Sequence, residues 1–536
     1  MTDFLTKKLA VFLIKSNYET FDAVLKTNLI TKYKLKDDIE HEGLVIIGHE
    51  KKQEPDWKYL LQTICKNEIP ILNNSSNRAV LFFKINTRIY AICFGYGKYL
   101  LKDESIEREF GLKTALNLVD ADKLISVDKA NIGDLNLLTK TQASQKGSPY
   151  HFEIDILRDL VKGITGEPKK IDSKLFGNTI TGNEALHIAP KIKLRSIPRI
   201  LGELHKSYMS DDYKDRFDWI DNIKPEKDPK LLEKLRAKLL KAINKKEQTS
   251  IHLAPPYLID WESFEYLSYT PKGDQFNEFD IKYFYKYKLE DGFEYENWEK
   301  LTQQNLYIKF SNNPEPFSNK LWRFLNYETE LNGFRYIFTS ANWYKVNKNY
   351  FDEIYEYCSS ALESESAFID CHKILDGTSK LKYDEGSYNE QLSNSNPNYI
   401  LFDKKLIKSD INRSRIEFCD VFNKSNNELI HIKFRESSST LSHLFSQGKV
   451  SANSLQKDKT FRKNIRTFLK ANKNLIPLEN KGLNPSNYTI TYALIESSDR
   501  KFVDSLPFFS LVNFRLTLED LLSRGFNVRV KKILKK

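Results

Sequence analysis

Residues 415–434, RIEFCDVFNKSNNELIHIKF, hold an aspartate, a histidine and a lysine at a spacing suited to phosphoryl chemistry. Asp420 lies 13 residues before Lys433, and the polar NKSNN between the two apolar runs predicts a hairpin that brings them together. Side chains two apart on a strand share a face, so His431 and Lys433 point the same way, with Asp420 opposite them. Such a group at a sheet edge can hold a divalent cation, lower the pKa of a bound water and stabilise charge on a phosphate. Asp420 is then the central metal ligand with His431 beside it, Lys433 is the electrostatic group, and Mg²⁺ or Mn²⁺ is the expected cofactor. The imidazole removes one negative charge and shifts the preference toward Mn²⁺, Zn²⁺ or Fe²⁺. The plain alternative is a hairpin whose lysine faces water, because an Asp…x-Lys pattern is short and recurs in many chains.

The flanking sequence supplies the elements that must position these residues. A helical patch around SYNEQLS (387–393) precedes three strands, NYILFDKKLI, RIEFCDVF and ELIHIKF. A long helical stretch from 439 to 472 follows, then the strand YTITYALIE. This α-β-β-β-α-β order, with aspartate on the second strand and x-Lys on the third, resembles the restriction-endonuclease-like core of the PD-(D/E)xK nuclease superfamily. The resemblance implies metal-dependent phosphodiester cleavage and a further acid from the first helix, Glu390 or the nearby Glu385. His431 stands where that superfamily carries Glu, Asp or Gln. Two functions stay open: a nuclease, or a module of the same fold that binds nucleic acid or a phage protein without cutting.

Charge favours a polyanionic partner. From residue 398 onward there are 26 Lys and Arg against 13 Asp and Glu, +13 in a chain of net +11, so the first 397 residues carry −2. Clustered cations on a near-neutral body read as a nucleic-acid footprint, with DNA the expected partner. KDKTFRKNIRTFLKANK places Phe461, Ile465, Phe468 and Leu469 at helical spacing, leaving Lys459, Arg462, Lys463, Arg466 and Lys470 to meet phosphate. Upstream, residues 437–440 are N-cap candidates, Gln447 and His443 can face the same cleft, and the tail GFNVRVKKILKK adds further cations.

The rest of the chain reads as a multidomain α+β protein of α/β character. Its 536 residues suffice for two to four domains, and 40% hydrophobic with 13% aromatic residues predict order. Residues 1–148 read as an α/β domain: strands KLAVFLIK and GLVIIGH, helices around 18–26 and 57–65, and a hairpin over 78–95 turning at Asn86-Thr87. In FGYGKYLL, Gly95 and Gly97 suit a tight turn better than a phosphate loop, since no Lys-Ser/Thr follows. Residues 149–250 read as mainly helical, including EIDILRDLVKGIT and a charged, solvated connecting helix over 228–248. Residues 251–350 read as an aromatic-rich module containing strands, and 351–536 as the basic nuclease-like domain.

Five scattered cysteines without a C-x-x-C pair suit a reducing cytosol, and the apolar run near the start is too short for a signal peptide or a span. A cytoplasmic protein without membrane contact is expected. The histidines form no zinc-hydrolase spacing, and neither a P-loop nor a G-x-S-x-G elbow occurs. Four stretches, FGYGKYLL with EREFGLKTALN (107–117), DWIDNI (218–223), ANWYKV (341–346) and ELIHIKFRESSSTLSHLFSQGKVSANSL, make the whole chain resemble a sporadically distributed prokaryotic family of unknown function. That family is associated with mobile elements and phage defence. The resemblance implies an antiviral effector whose N-terminal half senses or docks a protein partner.

Overall fold

The computed structural model describes residues 8–26, 30–48, 77–131, 137–155, 157, 159–169, 173–191, 194–289, 293–311, 315–375, 381–435 and 438–536. The helix expected over 57–65 and the capping side chains expected over 437–440 lie outside the described residues. The fold is mixed, with helices packed on several sheets.

Ten strands between Leu9 and Ile188 form one sheet. The hairpin Arg78–Ile85 to Arg88–Gly95 turns where expected: Asn86 and Thr87 both take positive φ, 48° and 66°, the primed geometry that matches strand twist. Residues 18–26 hold only the single turn Asp22–Val24 in place of the expected helix. EIDILRDLVKGIT, also read as helical, ends in the strand Asp159–Pro168. Two glycines weaken a helix there, while the strand sits between Val119–Asn131 and Ile180–Gly182 with Val161 and Ile164 in the core. At Gly166 a Cβ would lie 2.4 Å from Val119 Cγ1, so the close approach of the two strands requires glycine. The sheet therefore continues past residue 148, and the helix Ile197–Met209 joins its core through Ile197, Ile200, Leu201 and Leu204.

Helix Pro229–Asn244 opens on Asp228, whose carboxylate accepts from the amides of Lys230 and Leu231. It is not the solvated connector its charges suggested. Leu235, Leu239, Ala242 and Ile243 are buried in one core with Phe284, Phe324 and Tyr327. Burying a leucine contributes about 2 kcal/mol, whereas an exposed Lys–Glu pair gives roughly 0.3 kcal/mol, so the apolar stripe decides. The core rests on a five-stranded antiparallel sheet in which Phe334–Thr339 is flanked by Leu325–Leu331 and Asn342–Val346.

The C-terminal sheet has six strands in the order Leu362–Glu363, Asn527–Leu534, Thr489–Glu496, Glu428–Phe434, Val421–Asn423, Tyr399–Leu401. Glu428–Phe434, Thr489–Glu496 and Asn527–Leu534 run parallel, and Val421–Asn423 is antiparallel to both of its neighbours. Helix Glu385–Ser395 packs Tyr388 and Leu392 on one face. Helices Ser438–Lys457 and Phe508–Ser523 cover the other with Leu444, Phe445, Phe514 and Leu518. Each of the first two predicted strands breaks in two, and Lys404, at φ 58°, turns the chain within the first. The intervening halves pair as a separate hairpin, Leu406–Ser409 with Ser414–Glu417. The basic tail is a strand whose lysines are engaged: Lys531 pairs with Glu363 at 3.0 Å and Lys536 with Asp370 at 2.6 Å. Among the described residues no helix is long and apolar enough to cross a membrane.

The five-stranded sheet meets helix Phe508–Ser523 at Glu328, whose carboxylate accepts from the Phe508 amide at 2.8 Å. Burial pushes this carboxyl from 4.5 to about 7 against the opposing pull of that amide and of Arg335. The folded chain thus holds the proton more tightly than the unfolded chain. The contribution to stability is full below 4.5 and is lost as pH rises through about 7. Glu328→Gln should therefore gain Tm relative to the parent between about pH 5 and about pH 8, measured by calorimetry; a constant offset across that range would contradict the assignment.

Candidate functional site

The residues singled out by spacing meet at one end of the six-stranded sheet. Val421 pairs with Ile430, and one further step of the register sets Asp420 across from His431. Asp420 is 4% exposed; its amide donates to the Ile430 carbonyl at 3.0 Å and its Oδ2 accepts from the Ile432 amide at 2.7 Å. Burial raises its pKa to about 8, more than the Ile432 amide and Lys433 lower it. Lys433 reaches the end of helix Glu385–Ser395 and pairs with Glu385, which also accepts from the Phe434 amide. Burial acts against the Lys433 ammonium, yet Glu385, Asp420 and Glu417 together raise its pKa. Glu417 comes from the extra hairpin and accepts from Gln447 Nε2 at 3.0 Å, so Gln447 faces the site while His443 is exposed.

His431 is 2% exposed, with its ring 6.1 Å from that of Tyr492. Its Nε2 is buried with no hydrogen-bond partner among the described residues. Burial, aided by Lys433, lowers its pKa to about 3, so the imidazole is neutral. A neutral ring with a free nitrogen is the form that ligates metals. Among the described residues, however, no three His, Cys, Asp or Glu side chains stand grouped to hold a metal ion.

Two sequence expectations need correction. Glu390 is exposed and the helix carboxylate at the site is Glu385; five residues along a helix turn a side chain by about 140°, so both cannot face one point. The basic helix Lys459–Leu469 is also less open than its charges imply. Arg462 is fully buried, and its guanidinium donates to the carbonyls of Leu455, Gln456 and Leu478. Arg466 donates to the Lys473 and Ile476 carbonyls, and Lys459 pairs with Glu479 at 2.5 Å. Lys463 and Lys470 are exposed. Arg462→Ala should cost about 3 kcal/mol in chemical denaturation, because it leaves buried carbonyls unpaired; a variant of parental stability would return Arg462 to the solvent-facing set.

Sequence reasoning missed a second site. A cavity of 860 Å³ opens between the N-terminal sheet and the five-stranded sheet, lined by Lys98, Arg108, Lys162, Glu184, Arg323 and Tyr344 among others. Three of the four stretches quoted above meet here: Gly95 and Lys98 with Arg108, Glu109 and Lys113; Asp221; and Asn342 with Tyr344. No local pattern announces it, because its walls come from segments far apart in sequence. Gly95 takes φ +56° with its would-be Cβ 2.3 Å from the Asn77 carbonyl oxygen, so it serves the turn, and that turn delivers Lys98 to the cavity. The four described cysteines, Cys93, Cys358, Cys371 and Cys419, are buried and unpaired.

Residues 9–534 match the family described as Family of unknown function (DUF6119). No curated protein and no solved structure matches the chain.

Proposed function

We propose, for a chain that belongs to the DUF6119 family of unknown function, that the C-terminal domain is a restriction-endonuclease-like module that binds DNA and cleaves it with a divalent metal. The observation that carries this reading is the gathering of Asp420, Lys433, Glu385 and Glu417 at one end of the sheet. Strand order adds support: Tyr399–Leu401, Val421–Asn423 and Glu428–Phe434 are antiparallel neighbours, and Thr489–Glu496 joins the third in parallel across a helical connection.

The donors present fit a cation of the Mn²⁺ type in part. His431 offers a buried nitrogen without a partner among the described residues, and Asp420 offers a carboxyl whose burial the Ile432 amide and Lys433 only partly offset. Such ions ordinarily take their remaining ligands from water and substrate phosphate. When bound, the metal supplies an acidified water and neutralises charge on the scissile phosphate. The chain's own part is to place Lys433 beside that phosphate, where its ammonium stabilises developing charge. Glu385 fixes the lysine's direction, and Gln447 holds Glu417 in place.

Purified protein with Mn²⁺ or Mg²⁺ should nick plasmid DNA, a chelator should stop it, and Lys433→Ala should lower the rate by about a hundredfold or more, measured below the Tm of the variant, which loses the Glu385 ion pair. Undiminished cleavage by that variant would sink the catalytic assignment. The absence of a three-ligand group among the described residues favours a second reading, a binding module without catalysis; it predicts salt-sensitive DNA binding that survives Asp420→Ala, with no cleavage in any metal. The resemblance read from the sequence, to a family associated with phage defence, extends the proposal to an antiviral role. Expression in a bacterial host should reduce phage plating, and Lys433→Ala should restore it.

A further inference from the structure

The 860 Å³ cavity at the junction of the N-terminal and five-stranded sheets carries a charge pattern that the C-terminal reading does not use. Its walls hold ten lysines and arginines against five acids. Nine of the ten have a carboxylate within ion-pair distance: Lys98 and Arg108 share Glu184, Lys113 and Lys214 share Asp211, Lys227 meets Glu109, Lys224 meets Asp221, Lys140 meets Asp128, Lys129 meets Asp159 and Arg323 meets Asp103. Lys162 is the exception among the described residues. Its ammonium donates to Ser340 Oγ at 2.6 Å and to the Pro256 carbonyl at 3.4 Å, both uncharged acceptors.

Burying a cation without a carboxylate in contact is costly, and its cost shows in Lys162, whose pKa burial, aided by Arg108, lowers to about 8 although Glu184 pulls the other way. Arg108, its side chain 10% exposed, lies over the Trp322 ring and is fixed by the Ser340 carbonyl at 2.7 Å. Through Ser340 it is tied to the same residue that holds Lys162. Arg323 has a buried Nε with no partner among the described residues, while its Nη1 meets Asp103 at 3.3 Å. Three fixed cationic groups with unspent donor capacity thus border one space. A phosphate satisfies that set, since it accepts several charge-assisted hydrogen bonds at once.

The rest of the lining asks for more than inorganic phosphate. The volume falls within the usual range for small-molecule sites, and the mouth presents Tyr257, 39% exposed, and Leu258, 58% exposed. Tyr344 and Phe12 add further aromatic wall. We propose that this cavity binds a nucleoside phosphate, with Arg108, Lys162 and Arg323 on the phosphate groups and Tyr257 against the base. The enclosing sheets favour a small ligand over a continuous nucleic-acid strand. The inference stands independently of the nuclease reading, since no residue is shared between the two sites.

Isothermal titration of the full chain with the common ribonucleoside mono- and triphosphates, with pyrophosphate and with adenosine, tests it. At least one nucleotide should bind, pyrophosphate should bind at least about tenfold more weakly, and adenosine should not register. Lys162→Met keeps the apolar stem and removes the uncompensated charge, so it should raise the Tm of the free protein while lowering nucleotide affinity by about tenfold or more. Arg323→Gln should weaken binding in the same direction. Failure of every nucleotide to bind, equal affinity for pyrophosphate, displacement by a single-stranded oligonucleotide in place of the mononucleotide, or unchanged affinity in both variants would overturn the proposal.

Discussion

The C-terminal half is organised by one constraint: the strand Glu428–Phe434 is paired on both sides and covered on both faces, so six of its seven residues are buried. A strand in that position has no solvent to hydrate a charge, and each polar side chain on it needs its own solution. Glu428, 1% exposed, accepts from the hydroxyls of Ser364, Ser366 and Thr491 and from the Asn426 amide. His431 is neutral. Lys433, at the strand's end, reaches Glu385 on the covering helix.

These solutions tie distant parts of the chain together. The Glu428 network fastens residues 364–366 to the sheet's interior, and the Lys433–Glu385 pair locks the first helix to the strand's far end. Asp458 acts comparably on the other face: it caps the helix Lys459–Leu469 through the Phe461 amide and also accepts from Ser409 Oγ and the amides of Asp410 and Ile411. That anchor holds the extra hairpin, and the hairpin carries Glu417 to the candidate site. Structure and chemistry share the same residues here, so substitutions at Asp420 or Glu385 must be judged on stability as well as on activity.

The N-terminal cavity obeys a different logic. Around it, nearly every base has an acid within ion-pair distance, with Glu184 and Asp211 each serving two, and burial makes a missing partner expensive. Glu184 illustrates the balance: burial pushes its carboxyl up, but Lys98 and Arg108 outweigh that and hold it at about 2. Against such pairing Lys162 is informative, because among the described residues its buried ammonium meets only the uncharged Ser340 hydroxyl and Pro256 carbonyl.

Local pattern was enough to predict the hairpin at Asn86-Thr87, a helix within 228–248, and the facing of Asp420 against His431. All of these depend on side-chain period and turn chemistry, which act over a few residues. It was not enough to tell that 159–168 would be a strand, that the tail would join the sheet, that Glu385 and not Glu390 would meet Lys433, or that Arg462 would be buried. Those outcomes depend on which faces meet, and on whether a long cationic side chain finds carbonyls or water at its tip. The cavity is the extreme case, since its lining runs from Ala10 to Tyr344. Sequence alone determined which residues carry charge and which stripes are apolar; only the tertiary structure decided which charges are spent on one another and which remain for a ligand, because pairing is set by distances between segments that the linear chain does not contain.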